Sequence, residues 1–471
     1  MNNPGGKPKN FFSKFFNKDL LYVKTENGKT SVFALTFPIF FELIAAQLIG
    51  MIQAAMASRY MDGFFVIPIN NVNVVMGFFN ALIITASMGV TILLSAYLGK
   101  KDGDSAKRII GNGIILAVAI SVMFCLPGIF LSENILSLMG MQGSEYAKYV
   151  PYAAQLLRYR LIIVVLFQWY GVLTMALRCY GYSSVGFYCS LLSGTVAAVS
   201  TFIALFIVKI ESSAFTVVIS VISAFATLLA MLLAVFFSVK KKMKISLRPE
   251  WKWIKSLLKV GVPSSVFQLS YNLSQIITTA ICYSLTEEVL LAKLYASQIL
   301  VFVYTFGYAL GKANGIMVGR ECGEGDFERA KKITSQNQKI VLITNFTLSL
   351  LAAALSVPLL KLLFNASENV VTYALPIFFL DIVVELGRAF GHIGEGGLNA
   401  TGDVVFMSSV ALVSCWAFSV GLTYVFVKVI PLGVIGVWIA FAVDEICRGL
   451  CYYLRWKSGK WEKSFNKKVA S

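Results

Sequence analysis

Residues 98–108 read LGKKDGDSAKR and residues 322–332 read CGEGDFERAKK. Gly99 answers to Gly323, Asp102 to Asp326 and Ala106 to Ala330, each at an offset of 224. Two further pairs keep nearly that distance. LTFPIFFEL around Pro38 answers to KVGVPSSVFQL around Pro263 at 225, and ALRCYG ending at Gly181 to GLNATG ending at Gly402 at 221. Three anchors in one order at near-constant spacing mark an internal duplication.

The residues around these anchors are strongly apolar. Hydrophobic residues make up 57% of the 471-residue chain, charged residues 14%, and the mean hydropathy is +0.74. Such a composition leaves too little polar surface for a soluble protein and reads as a multi-pass membrane protein. The apolar runs are unbroken rather than alternating, so the spans are helices and not strands of a barrel. Twelve runs qualify: 33–57, 65–98, 109–131, 149–176, 184–208, 213–238, 258–284, 294–319, 339–360, 370–397, 404–427 and 432–455. Six spans per half put both halves in the same orientation, related by a pseudo-two-fold axis along the membrane normal with a cavity between them. The expected organisation is an all-α membrane protein. A basic N-terminal segment (1–30) precedes an N-lobe (31–238); a basic linker (239–257) leads to a C-lobe (258–456) and a basic tail (457–471).

The formal net charge of +17 sorts by topology. With the N-terminus inside, cytoplasmic segments hold 30 of the 41 Lys and Arg and the external loops six. That asymmetry predicts cytoplasmic termini in a cell-membrane protein, and it names the anionic inner leaflet, not nucleic acid, as the partner of the basic excess. No cleavable signal peptide is expected. KNFFSKFFNKDLL (9–21) reads either as an interfacial amphipathic stretch or as a basic tail. The eight cysteines show no CxxC or CxxH spacing, so neither disulfides nor a metal is expected.

Within the tenth run, FFLDIVVELGRAFGHIGEGG (378–397) carries Asp381, Glu385, Arg388, His392 and Glu395. On a helix these fall within an arc of about 80° extending about 21 Å. Facing lipid would cost about 2.5–3.5 kcal/mol per charge, so the stripe faces protein or a wet cavity. Three carboxyls share it with one permanent cation. Asp381, Glu385 and Glu395 are therefore candidates for binding a coupling cation, with Arg388 and His392 in support; a buried ion-pair network is the alternative. Glu42, one turn after Pro38, is a fourth candidate or else a partner of Arg158 or Arg160. Asp444 and Arg448 read as an i,i+4 pair. Gly307, Gly311, Gly315, Gly319 and Gly323 form a face for close helix approach, beside an unexplained Lys312. Tyr271, Asn272 and Gln275 in LSYNLSQ, polar but uncharged, suit a substrate wall or interhelical hydrogen bonds equally well. There is no P-loop, HExxH or GxSxG in a suitable setting, so no enzyme is expected and any pumping draws on an ion gradient.

The chain resembles the multidrug and toxic compound extrusion (MATE) family over nearly its whole length. The resemblance rests on LTFPIFFELIAAQLIGMIQAAMASRYMD, GVTILLSAYLGKKDGDSAKR, GVPSSVFQLSYNLSQ, GIMVGRECGEGDFERAKK, LDIVVELGRAF, LNATGDVVF and GVWIAFAVDEICRGLCYYLRWKSGKW. It implies a monomeric exporter of small organic cations or amphiphiles in antiport with H⁺ or Na⁺, with no other cofactor. The wider superfamily offers a lipid-linked saccharide flippase as an alternative, with Arg158 and Arg160 for phosphates. A transport-inactive receptor or scaffold is a second alternative. Relatives usually carry an aspartate where Gln53 stands, and many a glutamate near Phe267 and Gln268. Gln53 cannot ionise. It is left as a residue of the substrate cavity, and the expected coupling moves to the C-lobe.

Overall fold

The computed structural model describes residues 17–26, 28–60, 63–137, 150–209, 212–241, 243–282 and 284–470, with the backbone alone at 53–55, 57–60, 63–71, 212–216 and 467–470. Two antiparallel strands, β1 (Tyr22–Thr25) and β2 (Gly28–Ser31), lead into the N-lobe helices. These are α1 (Val32–Tyr60), α2 (Gly63–Gly99), α3 (Gly103–Phe130), α4 (Val150–Phe167), α5 (Tyr170–Cys179), α6 (Ser184–Phe202) and α7 (Ser212–Lys240). The C-lobe holds α8 (Trp251–Cys282), α9 (Glu287–Glu324), α10 (Phe327–Ala354), α11 (Ser356–Phe364), α12 (Glu368–Ala400), α13 (Val404–Ser414) and α14 (Gly433–Lys457), followed by α15 (Lys460–Ala470). Among the described residues nine helices are long and apolar enough to span alone, ten with the bent pair α10 and α11. The other two spans of the twelve-helix fold are α8 and α14. Polar residues lower their hydropathy; of these, Ser264, Ser265, Ser274 and Thr278 of α8 and Asp444, Glu445 and Arg448 of α14 are buried.

The repeated loop motif has a structural cause. Asp102 and Asp326 cap α3 and α10, accepting from the backbone N–H of Ser105 (2.9 Å) and Arg329 (2.8 Å). Hydrogen bonds from the Ser105 side chain and backbone hold the Asp102 carboxyl below the usual carboxylate range. Ala106 and Ala330 are fully buried one turn on. The two glycines serve the contact between lobes. A Cβ on Gly99 would lie 2.1 Å from the Arg320 carbonyl oxygen, and one on Gly323 would lie 2.1 Å from that of Ala96. Ala96 and Arg320 are themselves 224 apart, so the contact is reciprocal under the repeat. The repeat-related pairs α2–α8 and α1–α9 extend it, with Thr85 Oγ1 against Ser265 Oγ at 2.5 Å and the rings of Phe40 and Phe306 at 5.8 Å. The core runs along this seam, through Val90 and Leu94 of α2 and Leu310 and Met317 of α9.

Several expectations need correction. The fourth span (149–176) is broken at Gln168–Trp169 into α4 and α5, where Gly171 and Val172 bond back only three residues. The ninth (339–360) begins at Phe327, because its first turns are a capped polar extension, and it bends by 66° into α11. The seventh span, expected from 258, begins within the linker (239–257). Residues 243–250 lie on α3, where Asn112 bonds the Arg248 carbonyl (3.2 Å) and the Glu250 N–H (2.8 Å), and α8 starts at Trp251. The tail is a docked helix: Trp461 is fully buried and stacks on Trp456 with centroids 4.3 Å apart. Of the stretch 9–21, residues 9–16 lie outside the described residues.

The glycine face of α9 does pack closely, though against three neighbours. Gly307 faces Asn345 of α10, Gly311 and Gly315 face His392 and Gly396 of α12, and Gly319 and Gly323 face α2. A Cβ on Gly396 would sit 2.0 Å from the Gly311 carbonyl oxygen, which is backbone and cannot step aside. Gly396→Ala is expected to cost at least about 1–3 kcal/mol and to lower the Tm in detergent. Gly103→Ala, where a Cβ meets nothing within 4 Å, should leave it unchanged. Trp461→Ala should undock α15, about 3–5 kcal/mol for a fully buried tryptophan. Limited trypsin digestion would then cut after Lys460 or Lys463, sites protected in the parent protein.

Candidate functional site

The α12 stripe faces inward, against α9, α10 and α14. Glu385 is fully buried. It accepts from Arg388 Nη1 at 2.6 Å and from Asn345 Nδ2 at 2.9 Å. Asp381 is also buried and accepts from Trp438 Nε1 at 3.3 Å, while its Oδ2 has no hydrogen-bond partner among the described residues. Arg388 therefore pairs with Glu385, and its second acceptor is Glu445 of α14 (3.4 Å). Glu395 has no cation partner on its own helix and takes one from the neighbouring helix: Lys312 Nζ lies 3.1 Å away. That also explains Lys312. His392 packs edge-on against Tyr308, with centroids 5.6 Å apart.

On α14 the closest partner of Arg448 is Glu445, one position from the expected Asp444, which lies 4.0 Å away and is bonded by Ser414 instead. The C-lobe interior thus gathers five carboxyls, Asp381, Glu385, Glu395, Asp444 and Glu445. Among the described residues only Lys312, Arg388 and Arg448 answer them inside the lobe. Two negative charges are left over if all ionise.

A cavity of about 310 Å³ opens beside this network, walled by α8, α9, α12 and α14, with Leu43, Ile44 and Gln47 of α1 on the N-lobe side. Of the expected substrate wall only Tyr271 lines it, joined by Gln268. Asn272 is exposed and takes a bond from Gln268 (3.4 Å), and Gln275 is half-buried away from the cavity. The side chain of Gln53 lies outside the described residues. Sequence reasoning missed Tyr304, Tyr308, Asn345 and Trp438, since isolated polar or aromatic residues in apolar helices carry no pattern.

Glu42 is paired, but with Arg178 rather than Arg158 or Arg160. Arg178 is buried at the end of α5, and Gly186 makes the room: a Cβ there would lie 2.6 Å from Arg178 Nη2. Glu42 borders a separate N-lobe pocket of about 210 Å³ with Asn80, Ser87 and Tyr170. Arg158 is held by Ser132 and Glu133 (both 2.7 Å) and Arg160 by Asn73. Neither lines the central cavity.

The MatE family matches the chain twice, over residues 38–203 and 263–425, once in each half. The chain belongs to the MatE family. This MatE chain is 27% identical over 445 residues to an uncharacterized transporter, YisQ, of Bacillus subtilis, covering 92% of this chain and 94% of the relative. It is 24% identical over 383 residues to YoeA of the same organism, a probable multidrug resistance protein, covering 78% and 81%. Among solved structures it resembles a MOP superfamily transporter from Pyrococcus furiosus, described as having a binding pocket of reverse polarity (TM-score 0.80, 18% identity, 93% of this chain and 97% of that chain). It also resembles an outward-facing multidrug resistance MATE transporter (TM-score 0.82, 17% identity, 95% and 98%). Those likenesses show the fold. Family and fold make the MatE chain a multi-pass membrane transporter, and the family is not one of enzymes.

Proposed function

We propose that this transporter is a secondary-active exporter of amphiphilic small molecules, exchanging them for H⁺ or Na⁺ by alternating access, and that the exchange runs through the C-lobe. The observation that carries this is the surplus of buried carboxyls over cations around α12. Uncompensated buried charge is costly, so the surplus calls for bound protons or monovalent cations. Asp381, whose buried Oδ2 has no partner among the described residues, and Glu385, whose partner Arg388 reaches the cavity, are the binding groups. Glu395 is tied to Lys312 and Glu42 to Arg178, which gives them a secondary part. With both termini in the cytosol, the seam at Gly99 and Gly323 closes the cytosolic end, and the rocking of the lobes opens it.

The test is efflux of a fluorescent amphiphile from proteoliposomes under an imposed proton or sodium gradient. Rates that rise with one gradient and collapse with its ionophore are expected. Rates indifferent to both overturn the reading in favour of a transport-inactive protein. Arg158 and Arg160, the residues named for the flippase alternative, are bonded to Glu133 and Asn73 and do not line the central cavity; scrambling of a lipid-linked saccharide would favour that alternative.

A further inference from the structure

The central cavity has a pronounced imbalance in its hydrogen-bonding groups. Its wall is aromatic, with Phe267, Tyr271, Tyr304, Tyr308 and Tyr452 facing one space. Its carboxylates are already committed. Glu445 is held by both Arg388 and Arg448, and Glu395 by Lys312. Its donors are not all used. Arg448 is 6% exposed, and among the described residues its buried Nε and the buried Nε2 of His392 have no hydrogen-bond partner. Both residues line the cavity. The Arg448 guanidinium lies over Phe267 (6.0 Å) and Tyr271 (5.8 Å), and that of Arg388 over Tyr304 (4.8 Å), so ring faces orient the two forks.

We infer that the cavity receives an anionic head: its substrate is an apolar or aromatic body ending in carboxylate, sulfonate or phosphate oxygens, taken by Arg448 and Arg388. A guanidinium presents five N–H donors, and a buried donor without an acceptor is costly. An oxyanion supplies the missing acceptors in the bidentate geometry that a guanidinium matches best. A cationic head entering the same space meets two permanent cations, and the two carboxylates that line it, Glu395 and Glu445, already hold Lys312, Arg388 and Arg448; the surplus carboxyls Asp381, Glu385 and Asp444 do not line it. The inference rests on the exporter reading for its transport meaning, and narrows that reading to acidic amphiphiles.

The test is equilibrium binding to the purified full-length protein in detergent, without any ion gradient. Two probes share one aromatic body: pyrenebutyrate and pyrenylbutyl-trimethylammonium. The intact protein should bind pyrenebutyrate at least about tenfold more tightly. Equal or tighter binding of the ammonium probe overturns the inference, and so does no binding of either. Arg448→Gln should weaken pyrenebutyrate at least about tenfold and narrow the gap between probes. Arg448→Lys, which keeps the charge without the fork, should fall between. Unchanged pyrenebutyrate binding in Arg448→Gln also overturns it. Should that variant not fold, the comparison of probes on the intact protein decides alone. Loss of gradient dependence in the efflux experiment defeats the exporter reading and leaves this binding result standing.

Discussion

Proteoliposomes carrying Glu385→Gln are expected to show no gradient-driven efflux above the level of empty liposomes. Glutamine has the size of glutamate, keeps an amide oxygen for Arg388 Nη1 and can still meet Asn345. Arg388 also retains Glu445, so the substitution does not strand a buried cation. The fold should therefore survive, and the Tm in detergent should stay near that of the parent. What is lost is a buried group that can bind and release a proton or sodium ion. Glu42→Gln makes the contrast. It leaves the buried Arg178 without its carboxylate, which costs about 3–5 kcal/mol in stability. In the fraction that folds, coupling should persist. Full gradient-driven efflux by Glu385→Gln would place the coupling elsewhere.

Arg320→Ala is expected to loosen the end of the bundle that carries both termini. Arg320 belongs to α9 of the C-lobe and is 3% exposed. It bonds the Cys179 carbonyl of the N-lobe (3.1 Å from Nε), the Lys24 carbonyl on β1 (3.1 Å) and the Glu26 carboxylate. The hairpin is also strapped to α10, since Arg329 bonds the carbonyls of Asp19 and Tyr22 at 3.0 Å. Each buried acceptor left without its donor costs about 1–3 kcal/mol. A loss of that size moves a two-state equilibrium roughly tenfold to a hundredfold toward opening. The readout is Ser95→Cys, placed on a residue 1% exposed beneath the seam. An impermeant maleimide added on the side of the termini should label it faster in the Arg320→Ala background. Arg320→Lys should fall between, and unaltered labelling would show that the arginine does not hold the seam.

The large features were legible because they are periodic. Long apolar runs make spans, the 224-residue spacing makes two lobes, and a stripe at four, three, four and three makes one inward face. Contacts between helices were not legible. Lys312 and Glu395 are 83 residues apart, and Glu42 and Arg178 136, so no local pattern could pair them. The helix ends were misjudged for another reason. Hydropathy marks the depth of a bilayer, whereas α10 begins where Asp326 can cap it and α15 exists because Trp461 finds Trp456. Arg178 and Arg320 carry no pattern that marks them out in the sequence, and both are buried fasteners.

The reciprocal meeting of Gly99 with Arg320 and of Gly323 with Ala96 is the geometry of a homodimer interface. In a true homodimer any change in one subunit appears in both. Joining the two copies into one chain removes that constraint while keeping the shared surface, and here the copies have specialised. The spans of the N-lobe hold a single acidic residue, Glu42, whereas those of the C-lobe hold Asp381, Glu385, Glu395, Asp444 and Glu445. The acidic residues of the spans have collected almost wholly in one half, an asymmetry open only to a fused pair.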